Sequence, residues 1–414
     1  MKILHLSYSD LGGGAARGAY QQHKALQAVG IDSKMLVLQK LSTDRSVLAP
    51  SDKTTDILLS SIRPIIDRTL VTSYLRQKKY IFSPAISPLF ELKKIHEINP
   101  DVINLHWINK GFMRIESLKN LKKPLVWTLR DMWSMTGGCH YTEGCDRFQN
   151  QCGACPQLES NKERDLSRQI WTRKQRSWQD LNLHLVAVSH WIKDCVSKSS
   201  LLHQYPIEVI PSTIDTNIFL PRDKSIARDF LSLDRNKYYL LFTTLDPKDK
   251  RKGLNLLLKA LPYLSNFNLK QEVEILVLGT DTFEPSQFIN IPVRCLGKLS
   301  DDLSLSLVYN AADVTIVPSI QDACPKTGLE SLACGIPVVS FDSTGLRDIV
   351  EHRVNGYRAQ CFDPQDLAQG LQWVLEHENP EELSINARKT VEERFLSSTQ
   401  AMRYIDLYHR VLNS

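Results

Sequence analysis

"DVTIVPSIQDACPKTGLESLACGIPVVSF", residues 313–341, is the stretch from which the fold class can be read. "DVTIVP" and "IPVVSF" are short apolar runs of the kind that form buried strands. Between them, Pro325 suits a first helical position and Gly335 a C-terminal cap. Strand, loop, short helix and strand make one βαβ unit, in which two strands run parallel in the same sheet. The loop carries one acid, Asp322, and the helix a second, Glu330.

The same alternation extends in both directions. "KILHLSY", "KMLVLQ", "DVINLHW", "PLVWTL" and "LHLVAVS" are candidate strands in the first half, and "YYLLFTT", "VEILVLG" and "VRCLG" join the two above in the second. Helical stretches separate most of them, the signature of an α/β protein with parallel sheets. At 414 residues the chain exceeds one ordinary core, so two domains are expected. The proline-bearing stretch "YPIEVIPSTIDTNIFLPRDKS" marks their connection. The expected division is 1–204, 205–385, and C-terminal helices over 386–414 that can cross back to the first domain. Open parallel sheets bind ligands outside the carboxyl ends of their strands, here a cleft between the domains.

Apolar residues make up 42% and charged residues 23%, values that exclude disordered and fibrous classes. The net charge of +5 is uneven: residues 1–200 carry 29 Lys+Arg and 18 Asp+Glu (29 − 18 = +11), and residues 201–414 carry 22 and 28 (22 − 28 = −6). A basic first half suits an anionic membrane surface or another polyanion, and equally a solvated face. The N-terminus lacks the pattern of a signal peptide, and no run reaches the roughly 18 apolar residues of a membrane span. A cytoplasmic location is expected, and its nine cysteines are then thiols or metal ligands rather than disulfides.

"SYSDLGGGAARGAYQQHKAL" runs a strand into Gly12, Gly13 and Gly14 and then a helix, a place where backbone amides can meet an anion. It is not a dinucleotide fingerprint. Its spacing is G-x-G-x-x-x-G, and Asp32 precedes the second strand instead of following it. The second-half counterpart, "TTLDPKDKRKGLNLLLKAL", sets Lys248, Lys250, Arg251 and Lys252 ahead of Gly253. These cations are solvated loop charges or, at the same sheet edge, ligands for a diphosphate. Around the opening motif, the amides of Lys326, Thr327 and Gly328 suit an anion, Glu330 a diol and Asp322 another polar group. The plain alternative is a surface Lys326–Glu330 ion pair at i,i+4.

These residues carry a resemblance. "DACPKTGLESLACGIPVVSF" resembles the acid, seven residues, acid signature of retaining glycosyltransferase family 4, which has the GT-B fold of two Rossmann-like domains facing a central cleft. "LGGGAARGAYQQHKAL", "DVINLHWI", "VWTLRDMWSMTGGCHY", "VAVSHWI", "VIPSTIDTNIF", "RKGLNLLLKAL" and "YNAADVTIVPS" extend the similarity over nearly the whole chain, most closely to the exopolysaccharide and surface-glycan branch. The resemblance implies a hexosyltransferase that moves a sugar from a nucleotide-diphosphate donor to a glycan or lipid-linked acceptor. It implies Glu330 on the ribose, Asp322 on the donor sugar, and Lys252 on the departing diphosphate, with Gly13 and Gly14 approaching it. Arg251 and the run Lys326, Thr327, Gly328, Leu329 complete the donor side. The sequence departs from the family in three places. Asp322 stands where Glu is usual, Thr243 and Thr244 where an Arg is common, and Arg130 where many relatives have His. Arginine cannot shuttle a proton at neutral pH. Arg130 and Asp131 are therefore expected to hold substrate oxygens, with His106 on the acceptor side unless it is a buried structural histidine. No Asp-x-Asp pair is evident, so no catalytic metal is expected.

Two further stretches carry readings of their own. "GGCHYTEGCDRFQNQCGACPQ" gathers Cys139, Cys145, Cys152 and Cys155, which suits a structural tetrahedral Zn²⁺, with His140 able to replace one ligand. Two disulfides or four free thiols fit the same spacing. "DILLSSIRPIIDRTLVTSYLRQKKY" mixes apolar residues with Arg63, Arg68, Arg76, Lys78 and Lys79, as a peripheral membrane segment does, whereas Pro64 argues for an interrupted helical pair packed on the first domain. The competing functions are a sugar-nucleotide epimerase, a phosphorylase lacking a recognisable pyridoxal lysine, and a binding protein weakened in catalysis. A nucleic-acid partner is disfavoured by the acidic second half.

Overall fold

The computed structural model describes residues 1–50, 54–72, 74, 81–87, 93–281, 291–299 and 301–413, with backbone alone for 54–61. They divide into two compact units, Met1–Ser212 with Ser397–Ser414, and Thr213–Leu396.

The first unit holds a seven-stranded sheet of β1 (Lys2–Ser9), β2 (Asp32–Gln39), β3 (Val47–Leu48), β4 (Val102–Leu105), β5 (Leu125–Leu129), β6 (Leu183–Ala187) and β7 (Ile207–Val209). The second holds β8 (Tyr238–Thr243), β9 (Val273–Leu278), β10 (Val293–Cys295), β11 (Val314–Val317), β12 (Val338–Phe341) and β13 (Gly356–Ala359). The orders are β3-β2-β1-β4-β5-β6-β7 and β10-β9-β8-β11-β12-β13, and every pairing is parallel. Both are doubly wound, and the strand order reverses at β1/β4 and at β8/β11. Ligands of such sheets bind outside the carboxyl ends at those reversals.

Helices cover parallel sheets on both faces, so central strands are apolar throughout instead of alternating. All four residues of each of β4 ("VINL"), β11 ("VTIV") and β12 ("VVSF") are buried. All ten strands expected from sequence are present. Of the three additional ones, β3, β7 and β13, the first two are only two and three residues long, and all three end a sheet.

Strand β7 pairs with β6, so the first unit runs to Ser212 and not to 204. At the other end, the helix Pro380–Arg394 stays with the second unit, where Arg388 donates to the carbonyls of Phe219 and Ala333. Only the helix Ser397–Asn413 returns to the first. Its Tyr404, Leu407, Tyr408 and Val411 pack with Ile3, Leu26, Val102 and Val126, and the Tyr408 hydroxyl accepts from Asn104 Nδ2 at 2.6 Å.

The helix Thr54–Thr72 runs through Pro64 instead of breaking there. Tertiary contacts hold it: buried Asp67 accepts the Ile86 amide at 2.8 Å, and the Ser87 hydroxyl donates to the Arg63 carbonyl. Arg76, Lys78 and Lys79 lie outside the described residues.

Candidate functional site

In the second unit the loop after β8 ends in Lys252 and Gly253. Gly253 has φ +72°, and a Cβ there would fall 1.8 Å from the Pro318 carbonyl oxygen in the loop after β11. Only glycine allows those two loops to touch, and the Ile320 amide bonds the Arg251 carbonyl at 2.7 Å. The approach brings Lys252 Nζ to 2.7 Å from Asp322 Oδ2. Asp322 is 9% exposed. Its amide donates to Thr344 Oγ1 and its carbonyl accepts the Gly345 amide, so the loop after β12 fixes it as well. Arg251 is anchored to Asp249 at 2.7 Å.

The helix Lys326–Ala333 follows. Pro325 is its N-cap, one position earlier than the sequence suggested, and offers no side-chain cap. The expected trio of anion-ready amides is reduced, because the Gly328 amide already donates to the Pro325 carbonyl. Leu329 is fully buried in the core with Leu332. Glu330 is 6% exposed, with Lys326 Nζ 3.9 Å from Oε1 and the Tyr309 hydroxyl donating to Oε2 at 2.8 Å. The Lys326–Glu330 pair is therefore a buried one, not a solvated surface pair. Sequence reading missed Tyr309, which lies on the preceding helix, Asp302–Ala311, 21 residues before Glu330.

In the first unit, Gly13 has φ +98° and caps the helix Gly14–Ala28, and a Cβ on Gly13 or Gly14 would meet nothing within 4 Å. The loop is open where an anion would need room. Asp10 beneath it is structural, accepting the amides of Leu11, Leu41 and Ser42, each at 2.9 Å. Burial opposes its ionisation, but the Ser42 and Leu41 hydrogen bonds outweigh it and hold the carboxyl below its usual range. Gly18, last glycine of the G-x-G-x-x-x-G run, leaves space for Arg130: a Cβ there would lie 2.5 Å from Nη1.

Arg130 donates to Ser212 Oγ at 3.1 Å and to Gln22 Oε1 at 3.3 Å, bracing the helix Gly14–Ala28. His106 is buried and shares a 2.9 Å hydrogen bond with His5. Burial first, then the charge of Arg130, pushes it well below the ordinary imidazole value, so it is the buried histidine and not an exposed acceptor group. Asp131 accepts from Trp107 Nε1 and from His140 Nδ1, each at 2.6 Å, and from the Trp133 amide at 2.9 Å. Burial again opposes its charge and His140 wins, leaving the carboxyl below its usual range. Half-buried Trp107 meets Tyr8 edge to face at 5.7 Å, and Lys110 Nζ lies 5.4 and 5.5 Å from the two rings.

The other nitrogen of His140 is 2.9 Å from Ser83 Oγ. Both ring nitrogens are thus engaged, which removes His140 as a substitute metal ligand. Cys139, Cys145, Cys152 and Cys155 line one small cavity in the same unit.

Residues 225–390 match the family profile of glycosyl transferases group 1. The matched segment covers most of the second unit, Thr213–Leu396. The D-inositol 3-phosphate glycosyltransferase of Streptosporangium roseum is 30% identical over 178 residues, 40% of this chain and 40% of that protein. The putative colanic acid biosynthesis glycosyl transferase WcaC of Escherichia coli is 25% identical over 268 residues, 60% of each chain. The chain thus spans between two fifths and three fifths of the length of these curated relatives. Sucrose-phosphate synthase from Thermosynechococcus elongatus matches over 100% of both chains with a TM-score of 0.68 at 17% identity, a likeness of fold that places this chain with GT-B structures.

The matched segment contains the whole of β8 to β13 and with them Lys252, Asp322, Tyr309 and Glu330. Its chemistry is legible from these groups. Lys252 and the start of the helix Lys326–Ala333 suit negative charge, and the buried carboxylates of Asp322 and Glu330 suit hydroxyl donors such as the one Tyr309 already presents to Glu330.

Proposed function

We propose that the chain is a retaining hexosyltransferase that moves a sugar from a nucleotide-diphosphate donor to a glycan or lipid-linked saccharide acceptor in surface polysaccharide assembly. The group 1 match and the glycosyltransferase names of the chain's relatives support the class. The observation that carries the residue assignment is the Lys252–Asp322 pair, set at a strand-order reversal beside the uncapped start of the helix Lys326–Ala333.

On this reading Lys252 and the Lys326 and Thr327 amides hold the diphosphate, Glu330 takes the ribose hydroxyls, and Asp322 a hydroxyl of the sugar. Cleavage of the anomeric C–O bond leaves negative charge on the diphosphate, and preorganised donors there lower the barrier. The acceptor oxygen forms its bond to the anomeric carbon on the same face, and its proton passes to a diphosphate oxygen. No side chain is assigned as covalent nucleophile. In the first unit, Trp107 and Asp131 are assigned to the acceptor, replacing His106.

Ile62, Ile65 and Leu70 stand exposed on the helix Thr54–Thr72 beside Arg68, which supports a peripheral contact with anionic lipid. Flotation with phosphatidylglycerol vesicles, lost on Ile65→Ser with Arg68→Ser, tests it; binding indifferent to both changes overturns it.

Purified full-length protein is to be screened against UDP-, GDP- and ADP-sugars by thermal shift, since a bound donor raises the melting temperature. Turnover with the best donor then yields a product whose anomeric configuration is read by proton NMR. A retained configuration supports the proposal. An epimerised donor in the absence of acceptor, or undiminished turnover in both Lys252→Ala and Glu330→Ala, refutes it.

A further inference from the structure

Four cysteines in the first unit, absorbed by none of the chemistry above, converge on one place. Cys139, Cys145, Cys152 and Cys155 line a cavity of about 20 Å³, with Phe82 and Phe148 among its walls. All four are free thiols, and Cys155 is buried. The space exceeds the roughly 10–15 Å³ that one water needs, so an ion fits it without rebuilding the fold.

The backbone around the cavity is shaped to aim sulfur at it. Glu143 and Gly144 have positive φ (49° and 92°) immediately before Cys145, and Cys152, Gly153 and Ala154 form a run at 27°, 133° and 40°. For non-glycine residues that conformation is costly and persists only where surroundings impose it. Here they do: the Ala154 amide donates to the Lys162 carbonyl, the Cys155 amide to Asp165 Oδ2 at 2.8 Å, and a Cβ on Gly153 would strike the Glu163 carbonyl at 2.4 Å. The turn places both ends of the C-x-x-C on the cavity wall.

A backbone amide also points at one of the sulfurs. The Gly137 amide donates to Cys152 Sγ at 3.2 Å, and the Leu158 amide closes the turn after the C-x-x-C by donating to the Cys155 carbonyl. Amide donors of this kind hold and orient a metal-bound thiolate.

We propose that Cys139, Cys145, Cys152 and Cys155 bind one structural Zn²⁺ in a tetrahedral all-sulfur site. Among the described residues no three Cys, His, Asp or Glu side chains are already gathered to hold a metal. Loading therefore draws the four sulfurs inward from the cavity wall to about 2.3 Å from the ion. His140 stays outside the set, held by Asp131 and Ser83. The ion would staple the loop that carries His140: Cys139 precedes it directly, and the Cys139 carbonyl accepts from Thr136 Oγ1 at 2.5 Å. Zinc in this position acts on the Asp131–His140 contact through the loop and touches no substrate.

The test uses the full chain and reads metal, thiols and melting instead of turnover. Protein purified without chelator is expected to hold about one zinc per chain by elemental analysis. Titration with p-hydroxymercuribenzoate should release that zinc, and a strong chelator should lower the melting temperature until zinc is restored. Cys152→Ser should lose the metal, while Cys361→Ser, at an exposed cysteine away from the cavity, should keep it. If Cys152→Ser fails to fold, the wild-type metal content and the Cys361→Ser control still decide. Zinc-free protein with nine titratable thiols overturns the proposal. So does an intact mass short by the four hydrogens of two disulfides.

Discussion

Lys252 and Asp322 are separated by 70 residues of sequence and meet at 2.7 Å, because the loops after β8 and β11 touch where Gly253 passes the Pro318 carbonyl. The lysine side chain is one-third exposed, so the ion pair contributes only about 0–1 kcal/mol to stability. Its value to a donor diphosphate is larger. Lys252→Ala is expected to lower kcat/KM about 10²–10³-fold, with the melting temperature nearly unchanged. Kinetics alongside calorimetry decide it: an equal collapse of stability would make the pair structural.

Glu330 is buried and takes a hydrogen bond from Tyr309. If the remaining lone pairs serve a ribose diol, Glu330→Gln should weaken binding of the ribonucleotide donor about tenfold or more. A donor analogue lacking both ribose hydroxyls should be bound with equal affinity by wild type and variant. Isothermal titration of the donor and the analogue against the two proteins gives the coupling directly, and a weakening common to both ligands would sink the ribose assignment.

Gly253→Ala tests the loop contact itself. The added methyl lies 1.8 Å from a backbone oxygen, and φ +72° disfavours any side chain. The loops must separate, at a cost of about 2 kcal/mol or more, which shifts a domain of this size by roughly 4–8 °C. Turnover should fall even below the melting transition. A variant with wild-type melting and wild-type turnover would show that the contact is dispensable.

Three histidines, His5, His23 and His106, lie buried together in the first unit. Burial lowers all three; His23 falls to about 4, and His5 and His106 well below their ordinary value. Between the unfolded value near 6.5 and the folded one, the unfolded chain binds more protons. Stability therefore rises with pH there and is lost as pH falls through that window. Melting temperature should decline from pH 7 to pH 5, and His23→Gln should flatten the decline. A variant whose slope matches wild type would assign acid sensitivity elsewhere.

Central strands were legible in the sequence because burial on both faces leaves an unbroken apolar run, as in "VTIV" and "VVSF". The edge strands β3 and β7 have too few residues to carry such a signal. That Lys252, Asp322 and Glu330 lie on the stretches that follow β8 and β11 was legible from the order of strands, whereas the roles expected of them rested on the family resemblance. The contact between Lys252 and Asp322 was not legible, because it depends on two loops meeting across a sheet.

Partners set by distant residues were likewise hidden. His106 is buried against His5, Arg130 braces Gln22 and Ser212, and His140 is committed to Asp131 and Ser83. The sequence by itself determined the doubly wound sheets, the glycine turns and the residue types at the strand ends, since those follow from periodicity and local backbone freedom. Which of those polar groups stay available to a ligand was decided only by tertiary structure, because a side chain's hydrogen bonds go to whatever the fold brings within 3 Å.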